Sequence, residues 1–343
     1  MPSRVAIIIP HYNGQQLLED CLPFLFRTEY PGYTVYLIDN ASTDGSPAWA
    51  QLRFPALKVI HSDTNLGYAG GCNLGIRSTS EEYIVLLNND TEVSPGWLGH
   101  LIRALDADPM AAAAQPKILW LKDRGKFDYS GGAGGMMDRY GFPYCRGRLF
   151  EILEDDAGQY DRARPDIFWA SGSASIYRRS ALDTVGLLDE EFFMHMEEID
   201  LCWRLHLAGL RVIAAPQSVI YHLSGGSLPA GDFRKMYLNH RNSQLMLWKN
   251  YSLGTLLRIW PARLALEAAA LAKALASRNW EWARAIVHAG LWLAEHPAAV
   301  WRKHRETQRL RKVPDRRIMA AMRRGSIAVD YYIRGVRTAK ELE

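Results

Sequence analysis

Cysteine is scarce in this sequence: Cys21, Cys72, Cys145 and Cys202 are scattered, with no CxxC spacing. That pattern argues against a zinc knuckle or a disulfide framework and for a reducing compartment. No run reaches the roughly 18 uninterrupted apolar residues of a membrane-spanning helix. The N-terminal stretch MPSRVAIIIPHYNG enters a strand-like run without a leader's apolar core and cleavage site, so a cytoplasmic location is expected. Internal repeats are also missing, which sets aside solenoids and propellers.

What is present reads as a globular chain. Of 343 residues, 48% are hydrophobic and 23% charged, and the length suffices for a large core. The net charge of +4 conceals an asymmetry. Residues 249–343 hold 19 Lys/Arg against 8 Asp/Glu, a surplus of 11, which leaves −7 for residues 1–248. An acidic front and a basic rear imply two parts with different partners.

Over the first 120 residues, short apolar runs alternate with amphipathic stretches. Strands are expected over 5–10, 34–39, 57–61, 83–87 and 112–119, and helices over 15–27, 46–54, 70–78 and 96–107. This alternation predicts an α/β fold with a mostly parallel sheet covered on both faces. Ser46 is placed as an N-cap with Pro47 at the first helical position. Residues 121–168 lose periodicity. With Gly131, Gly132, Gly134 and Gly135 beside Met136 and Met137, they read as a mobile loop. Regular structure resumes with a strand in FWASGSASIY, helices over 178–186 and 197–208, a stop at Gly209 and a strand over 211–215.

From about Met236 the chain turns helical and basic, with Pro261 and Pro297 as expected interruptions. Residues 1–235 are therefore expected to form the ligand-binding unit and residues 236–343 a helical extension. Two readings of the extension are open. One is a helical domain or homodimer interface. The other is in-plane amphipathic helices on an anionic membrane, because Trp260, Trp280, Trp282, Trp292 and Trp301 accompany the basic side chains.

Four consecutive strands end in polar groups. The first is followed by Tyr12 and Asn13 after Pro10, and the second ends in Asp39, Asn40, Ser42 and Asp44. The third leads into Asn65, Gly67, Gly70 and Asn73, and the fourth into Asn88, Asn89 and Asp90. One such end is a turn. Four converging ends imply a ligand crevice at the carboxyl edge of an α/β sheet. Asp39 is placed to hydrogen-bond a base or ribose. The turn PHYNGQ lacks GxGxxG, which argues against a nicotinamide dehydrogenase. The glycines of GYAGGCN would let the backbone approach a ligand and open a helix whose N-terminus favours anions. Asp90 has the chemistry of a hard ligand for Mg²⁺ or Mn²⁺ beside phosphates, although read alone it is equally a turn residue.

IIPHYNG, IDNASTDGS, NLGYAGGCNLGI, LLNNDT, GLLDEEFFMHMEEIDLCWRLHLAG and VIYHLSGGS follow in this order over residues 4–228. Together they resemble the family 2 glycosyltransferases, in particular the rhamnosyltransferase-like branch. The resemblance implies a Rossmann-like GT-A fold, a nucleotide-diphosphate sugar donor, a divalent metal (Mg²⁺ or Mn²⁺) and inversion at the anomeric carbon. It puts Pro10, Tyr12, Asn13, Asp39, Asn40, Ser42 and Asp44 on the nucleotide side. Asn65, Gly67, Gly70 and Asn73 fall in the loop that closes over the donor. Asn88-Asn89-Asp90 stands at the family's Asp-x-Asp metal motif, which leaves Asp90 as its metal-binding carboxylate, with His222 to complete the shell. The catalytic base is expected within Glu197-Glu198-Ile199-Asp200, where the family has Glu-Asp-x-Asp. Glu198 is favoured, then Glu197, then Asp200.

Plainer readings stand beside these. Asp200 and Arg204, four apart on a helix, could simply pair, and acidic residues in a first turn suit the helix dipole. The resemblance puts Trp169, Ser171 and Gly172 in the sugar and acceptor pocket with Trp203, but Trp203, spaced with Ile199 and His206, suits a core better. The resemblance points to dTDP-rhamnose as donor and a glycan or lipid-linked glycan as acceptor, at the inner face of the cytoplasmic membrane. Nucleic acid is not an expected partner. Two rivals remain: a sugar-nucleotide nucleotidyltransferase, disfavoured because PHYNG has no Lys or Arg, and a non-catalytic nucleotide- or glycan-binding relative, motivated by Asn88 and Glu198.

Overall fold

The computed structural model describes residues 4–224 and 231–342. Its strands are β1 Val5–His11, β2 Tyr33–Asp39, β3 Lys58–His61, β4 Tyr83–Leu87, β5 Thr91–Val93, β6 Ala111–Trp120 and β7 Asp123–Phe127. They continue with β8 Gly135–Met137, β9 Pro143–Cys145, β10 Arg148–Leu149, β11 Ile152–Leu153, β12 Asp166–Ile167, β13 Ala174–Arg178 and β14 Arg211–His222. The helices are α1 Gln15–Leu25, α2 Ser46–Arg53, α3 Gly67–Arg77, α4 Trp97–Asp106, α5 Arg179–Val185 and α6 Glu197–Leu207. The rear adds α7 Phe233–Asn250, α8 Leu253–Ala276, α9 Trp280–Glu295, α10 Pro297–Gln308, α11 Asp315–Ile318 and α12 Ile327–Tyr332.

A ten-stranded sheet follows the path β12-β14-β6-β13-β4-β1-β2-β3, with β5 beside β14 and β7 beside β6. β1 is VAIIIPH, and Val5 to Ile9 are all fully buried. Such continuous apolar strands are what a parallel sheet covered on both faces requires. α4 turns Trp97, Leu98, Leu101, Ile102 and Leu105 to the sheet, a helical spacing that leaves its other face wet. β4, β1, β2 and β3 are parallel, and His11 stands opposite Asp39, which stands opposite His61. Their polar ends therefore share one edge, as the sequence implied. β13 runs antiparallel between β4 and β6, so the far half of the sheet is mixed.

Several expectations change. Residues 121–168 are not a loop: β7 extends the main sheet, and β8 to β11 form a second, four-stranded sheet. β8 to β11 span only two or three residues each, too few to carry a period, and β7 (DRGKF) is mostly polar. β14 is 12 residues long because a bulge at 216–218, beside Pro216, lets pairing with β6 resume at Val219. In FWASGSASIY only 174–177 is strand, the start of β13, and the preceding residues turn toward the cleft described below. Ser46 sits inside α2 after Gly45, and its hydroxyl donates to Asp44 Oδ1 at 2.5 Å. Pro261 lies within α8 without ending it. Pro261 and Leu257, one turn earlier, are both exposed, so the break in the hydrogen-bond ladder falls on the solvent face of the helix.

The rear shares the front's core. Leu245, Met246, Leu247, Tyr251 and Leu256 join Ile199, Trp203 and Phe168 in one buried cluster. The C-terminal stretch then returns to the small sheet. Arg323 N donates to Met137 O (2.9 Å), Ile327 N to Asp138 Oδ2 (2.9 Å) and Ala339 N to Glu154 Oε1 (2.8 Å). Residues 225–227 of the VIYHLSGGS motif lie outside the described residues.

Candidate active site

A cleft of about 400 Å³ opens beside the end of β4. Eight of the residues singled out in the sequence line it: Asn88, Asp90, Trp169, Ser171, Gly172, Glu197, Glu198 and His222. They come from four separate segments, and each is fixed locally. Ser171 N donates to Gln115 Oε1 (2.9 Å), and Trp169 Nε1 donates to Met136 O (2.8 Å). Gly172 O accepts from the Tyr68 hydroxyl at 2.5 Å. Tyr68 also lines the cleft. Nothing in GYAGGCN distinguished it, since a tyrosine after a glycine carries no period.

Glu197 and Glu198 open α6, and each keeps one carboxylate oxygen, Oε2, buried without a hydrogen-bond partner. Burial, and then the charge of Glu198, push Glu197 well above the usual carboxylate range. Burial pushes Glu198 up to about 7, although the Gly172 N–H and its own helix N–H groups favour the charged form. An acceptor group poised near neutrality with a free oxygen facing a cleft is what general-base chemistry needs.

The segment leading into α6 is strained. Phe193, His195 and Met196 all have positive φ (62°, 69° and 73°), a region that side chains other than Gly's rarely adopt. Asn242 on α7 holds it, as Nδ2 donates to the carbonyls of Phe192, Met194 and His195 at 2.8–3.0 Å. His195 lines the cleft with Nε2 buried and unpartnered, and burial, aided by Lys235, lowers it to about 4, so its ring is neutral at pH 7. Neither Asn242 nor His195 was legible beforehand, because their roles depend on α7 crossing this segment.

At the β4 end, His222 Nε2 lies 3.1 Å from Asp90 Oδ1 and 3.4 Å from Asn88 Nδ2. The Asp90 oxygen misses hydrogen-bond geometry and is a buried acceptor without a donor. Asp128, unnoticed in the stretch read as loop, sits 3.0 Å from His222 Nδ1 and accepts from Ser224 Oγ at 2.7 Å. Burial opposes a charge on His222, but Asp90 and Asp128 outweigh it and raise the ring to about 10, so a cation at Nε2 would have to take the place of a proton there. Among the described residues no group of three or more His, Cys, Asp or Glu side chains forms a closed cage. One orphaned carboxylate oxygen beside one imidazole fits a divalent cation that takes its other ligands from phosphate and water. Asp128 on the far ring nitrogen is the orienting partner that metal-ligating histidines characteristically have.

The nucleotide-side candidates occupy the adjoining edge. Asn13 N donates to Ser42 Oγ (3.0 Å), Thr43 N to Asn13 Oδ1 (2.8 Å) and Gly14 N to Asp44 Oδ2 (2.7 Å), which ties the β1 and β2 ends together. Asp39 accepts from Ser42 N (2.8 Å) and faces His61 Nδ1 (2.9 Å). Tyr12 is 52% exposed beyond Pro10. Asn40 Nδ2 donates to Gly67 O (3.1 Å), while its Oδ1 is buried and unpartnered.

Other candidates are structural. Asp200 is fully buried between Arg204 (3.0 Å) and Lys249 (2.8 Å), with Asn250 donating to it (2.8 Å). Burial opposes its charge, but Lys249 and then Arg204 hold it below the usual range. Trp203 is fully buried edge-on to Phe168 and Tyr251, in the core rather than the pocket. Asn73 braces the segment before the glutamates, as Nδ2 donates to Leu188 O (2.8 Å) and Oδ1 accepts from Leu188 N (3.1 Å). Asn89 bonds His11 Nδ1 (2.8 Å). The glycines approach protein, not open space. A Cβ on Gly67 would lie 2.6 Å from Phe193, and one on Gly70 would lie 2.7 Å from Leu66. Asn65 Oδ1 accepts from Gly67 N (2.9 Å), and Phe193 O accepts from Ala69 N (3.1 Å), so the α3 N-terminus is already partly satisfied.

Residues 6–186 match the family model for glycosyl transferase family 2. The N-acetylglucosaminyl-diphospho-decaprenol L-rhamnosyltransferase of Mycobacterium tuberculosis is 28% identical over 275 residues, covering 74% of this chain and 86% of that relative. Among solved structures, a mannosyltransferase from Pyrobaculum calidifontis in complex with GDP-Man and Mn²⁺ superposes with a TM-score of 0.53 at 18% identity. It covers 90% of this chain and 86% of that one. GalNAc-T7 with UDP, GalNAc and Mn²⁺ gives 0.56 at 15% identity, over 72% of this chain and 48% of that one. With the parallel half-sheet, its polar edge and the C-terminal helices, the conclusion is that the chain belongs to glycosyl transferase family 2: a glycosyltransferase of GT-A fold, similar to rhamnosyltransferases.

Proposed function

We propose that the protein is a metal-dependent, inverting transferase that moves rhamnose from dTDP-rhamnose to a lipid-linked glycan acceptor in cell-surface polysaccharide synthesis. The observation that carries this reading is the cleft itself, where two carboxylates with unpartnered oxygens face the same space as the Asp90–His222 pair. The rhamnosyl and lipid-diphosphate parts draw on the relative from Mycobacterium tuberculosis.

In this reading Glu198 takes the proton of the acceptor hydroxyl as that oxygen bonds to the anomeric carbon. The bond from that carbon to the diphosphate breaks on the opposite face, and the nucleoside diphosphate leaves with the electron pair. The transition state is oxocarbenium-like, as in glycoside hydrolysis. Glu197 keeps its proton, so the pair carries one charge rather than two. Asp90 and His222 would hold a divalent cation, which supplies charge neutralisation for the departing diphosphate. Asp39, Asn13, Ser42 and Asp44 shape the nucleotide end. Residues 1–235 carry the chemistry, and residues 236–343 form a basic, partly apolar surface toward the inner face of the cytoplasmic membrane. That surface bears exposed Leu257 (62%) and Trp280 (61%), and no helix among the described residues is long and apolar enough to cross a membrane.

A thermal-shift panel of dTDP-, UDP- and GDP-sugars with and without Mn²⁺ tests the proposal. Donor at 100 times its dissociation constant adds about 2.7 kcal/mol, about 4 °C for a chain of this size. dTDP-rhamnose with Mn²⁺ should give the largest shift, and Asp90→Ala should lose the metal-dependent part. No donor-dependent shift, or an undiminished one in Asp90→Ala, overturns the assignment.

A further inference from the structure

Arg148, on β10, lines the same cleft and is buried. Four other buried cations are answered by carboxylates: Lys117 by Asp156 and Asp161, Arg204 by Asp200, Lys249 by Asp189 and Asp200, and Arg263 by Glu267. Buried Arg241 is answered instead by the carbonyls of Glu191 and Phe192 and by Asn242 Oδ1. Arg148 has no ion pair among the described residues, and Glu151 acts on it only through its charge. Its Nη2 reaches only Cys145 Sγ, at 3.7 Å, its guanidinium carbon lies 4.2 Å over the Tyr129 ring, and its Nε is buried without a partner. A buried guanidinium lacking an anion is unfavourable unless something supplies one. Its planar fork of donors matches phosphate oxygens.

The surroundings indicate which phosphate. Phe142, Pro143, Phe150 and Ile327 line the cleft with Arg148. Phe150 touches the Tyr331 and Tyr332 rings, at 4.7 and 5.3 Å between centroids. Tyr332 is 55% and Ile333 79% exposed, and Lys273 Nζ lies 3.7 Å over the Tyr332 ring. A series of apolar and aromatic side chains in contact therefore links the cleft wall to the surface beside α8. That suits an amphiphile whose phosphate stops at the cation while its hydrocarbon lies along those side chains.

We propose that Arg148 is the phosphate subsite of the acceptor. It grips a phosphate of a lipid-linked acceptor whose hydrocarbon passes Phe150 and Ile327 and emerges over Tyr332 and Ile333. This deepens the lipid-linked acceptor reading and rests on it. The phosphate chemistry is shared with the donor's diphosphate, so the test separates the two sources.

The full chain is titrated with geranylgeranyl diphosphate, with geranylgeraniol, and with dTDP plus Mn²⁺. Wild type should bind the prenyl diphosphate at least about tenfold tighter than the alcohol. Arg148→Gln should erase that preference, Arg148→Lys should keep part of it, and both should bind dTDP within about twofold of wild type. Ile333→Asp, at an exposed position, should weaken both prenyl ligands without moving dTDP. A wild type with no preference for the diphosphate overturns the proposal even if Arg148→Gln does not fold. So does an Arg148→Gln protein that loses dTDP affinity and keeps the prenyl preference, since the phosphate read would then be the donor's. Failure of dTDP and the other donors to bind wild type is the separate failure of the parent reading.

Discussion

Replacing Glu198 by Gln removes one buried carboxylate while nearly keeping its shape, and the consequence can be worked from its environment. Burial raises Glu198 from 4.5 to about 7 in the folded chain. A carboxyl with a raised folded pKa favours folding while protonated. Its contribution is fully present below about pH 4.5 and is lost as pH rises through about 7. At about 1.36 kcal/mol per unit, the full loss is about 3 kcal/mol as an upper bound, since water at the cleft mouth reduces it. Most of it, roughly 2 to 3 kcal/mol, falls between pH 5 and pH 8. At about 2.1 cal/mol/K of unfolding entropy per residue, that is about 3–4 °C in Tm. Scanning fluorimetry of the metal-free protein should show wild type losing that much, relative to Glu198→Gln, between those two pH values. Sugar transfer by the variant should fall about 10²–10⁴-fold, the usual worth of a positioned base. Parallel Tm–pH curves for the two proteins would refute the burial argument, and undiminished transfer would refute the role.

Asp200→Asn should behave oppositely. It leaves Lys249 and Arg204 facing a neutral amide, so stability should fall by about 3 kcal/mol or more while transfer per folded molecule stays within a few-fold. A collapse of turnover at unchanged Tm would return Asp200 to the catalytic set. The basic rear, with Trp280, Leu257 and Leu291 exposed, should sediment with anionic liposomes at low ionic strength and release as salt shortens the Debye length. Indifference to such liposomes would remove the membrane contact.

The strand–helix alternation of residues 5–120 was legible because the central β-strands there bury both faces and each helix one stripe, and both leave a pattern in the sequence. The elements of 121–168 were not, because two-residue strands such as Arg148–Leu149 are held by partners rather than by pattern. The same division runs through the site. Asp90, His222 and Glu198 were candidates through the order of the motifs that hold them, and all three line one cleft. Asp128, Tyr68, His195 and Asn242 did not, since their meaning lies in contacts across 40 to 100 residues or more: Asp128 to His222, Tyr68 to Gly172, Asn242 to His195.

By itself the sequence determined the α/β class, the shared polar edge and the chemical types gathered there, because periodicity and residue chemistry are local properties. It left open which acidic residue of Glu197-Glu198-Ile199-Asp200 faces the cleft. Helix rotation and the crossing of α7 decided that, sending Asp200 to Lys249 and Arg204 and leaving the two glutamates with free oxygens. Trp203 went the same way, since one turn of α6 separates a cleft wall from the core. Partnership depends on which segments meet in three dimensions. Only the tertiary structure could assign it, including the lack of an ion pair to Arg148 among the described residues.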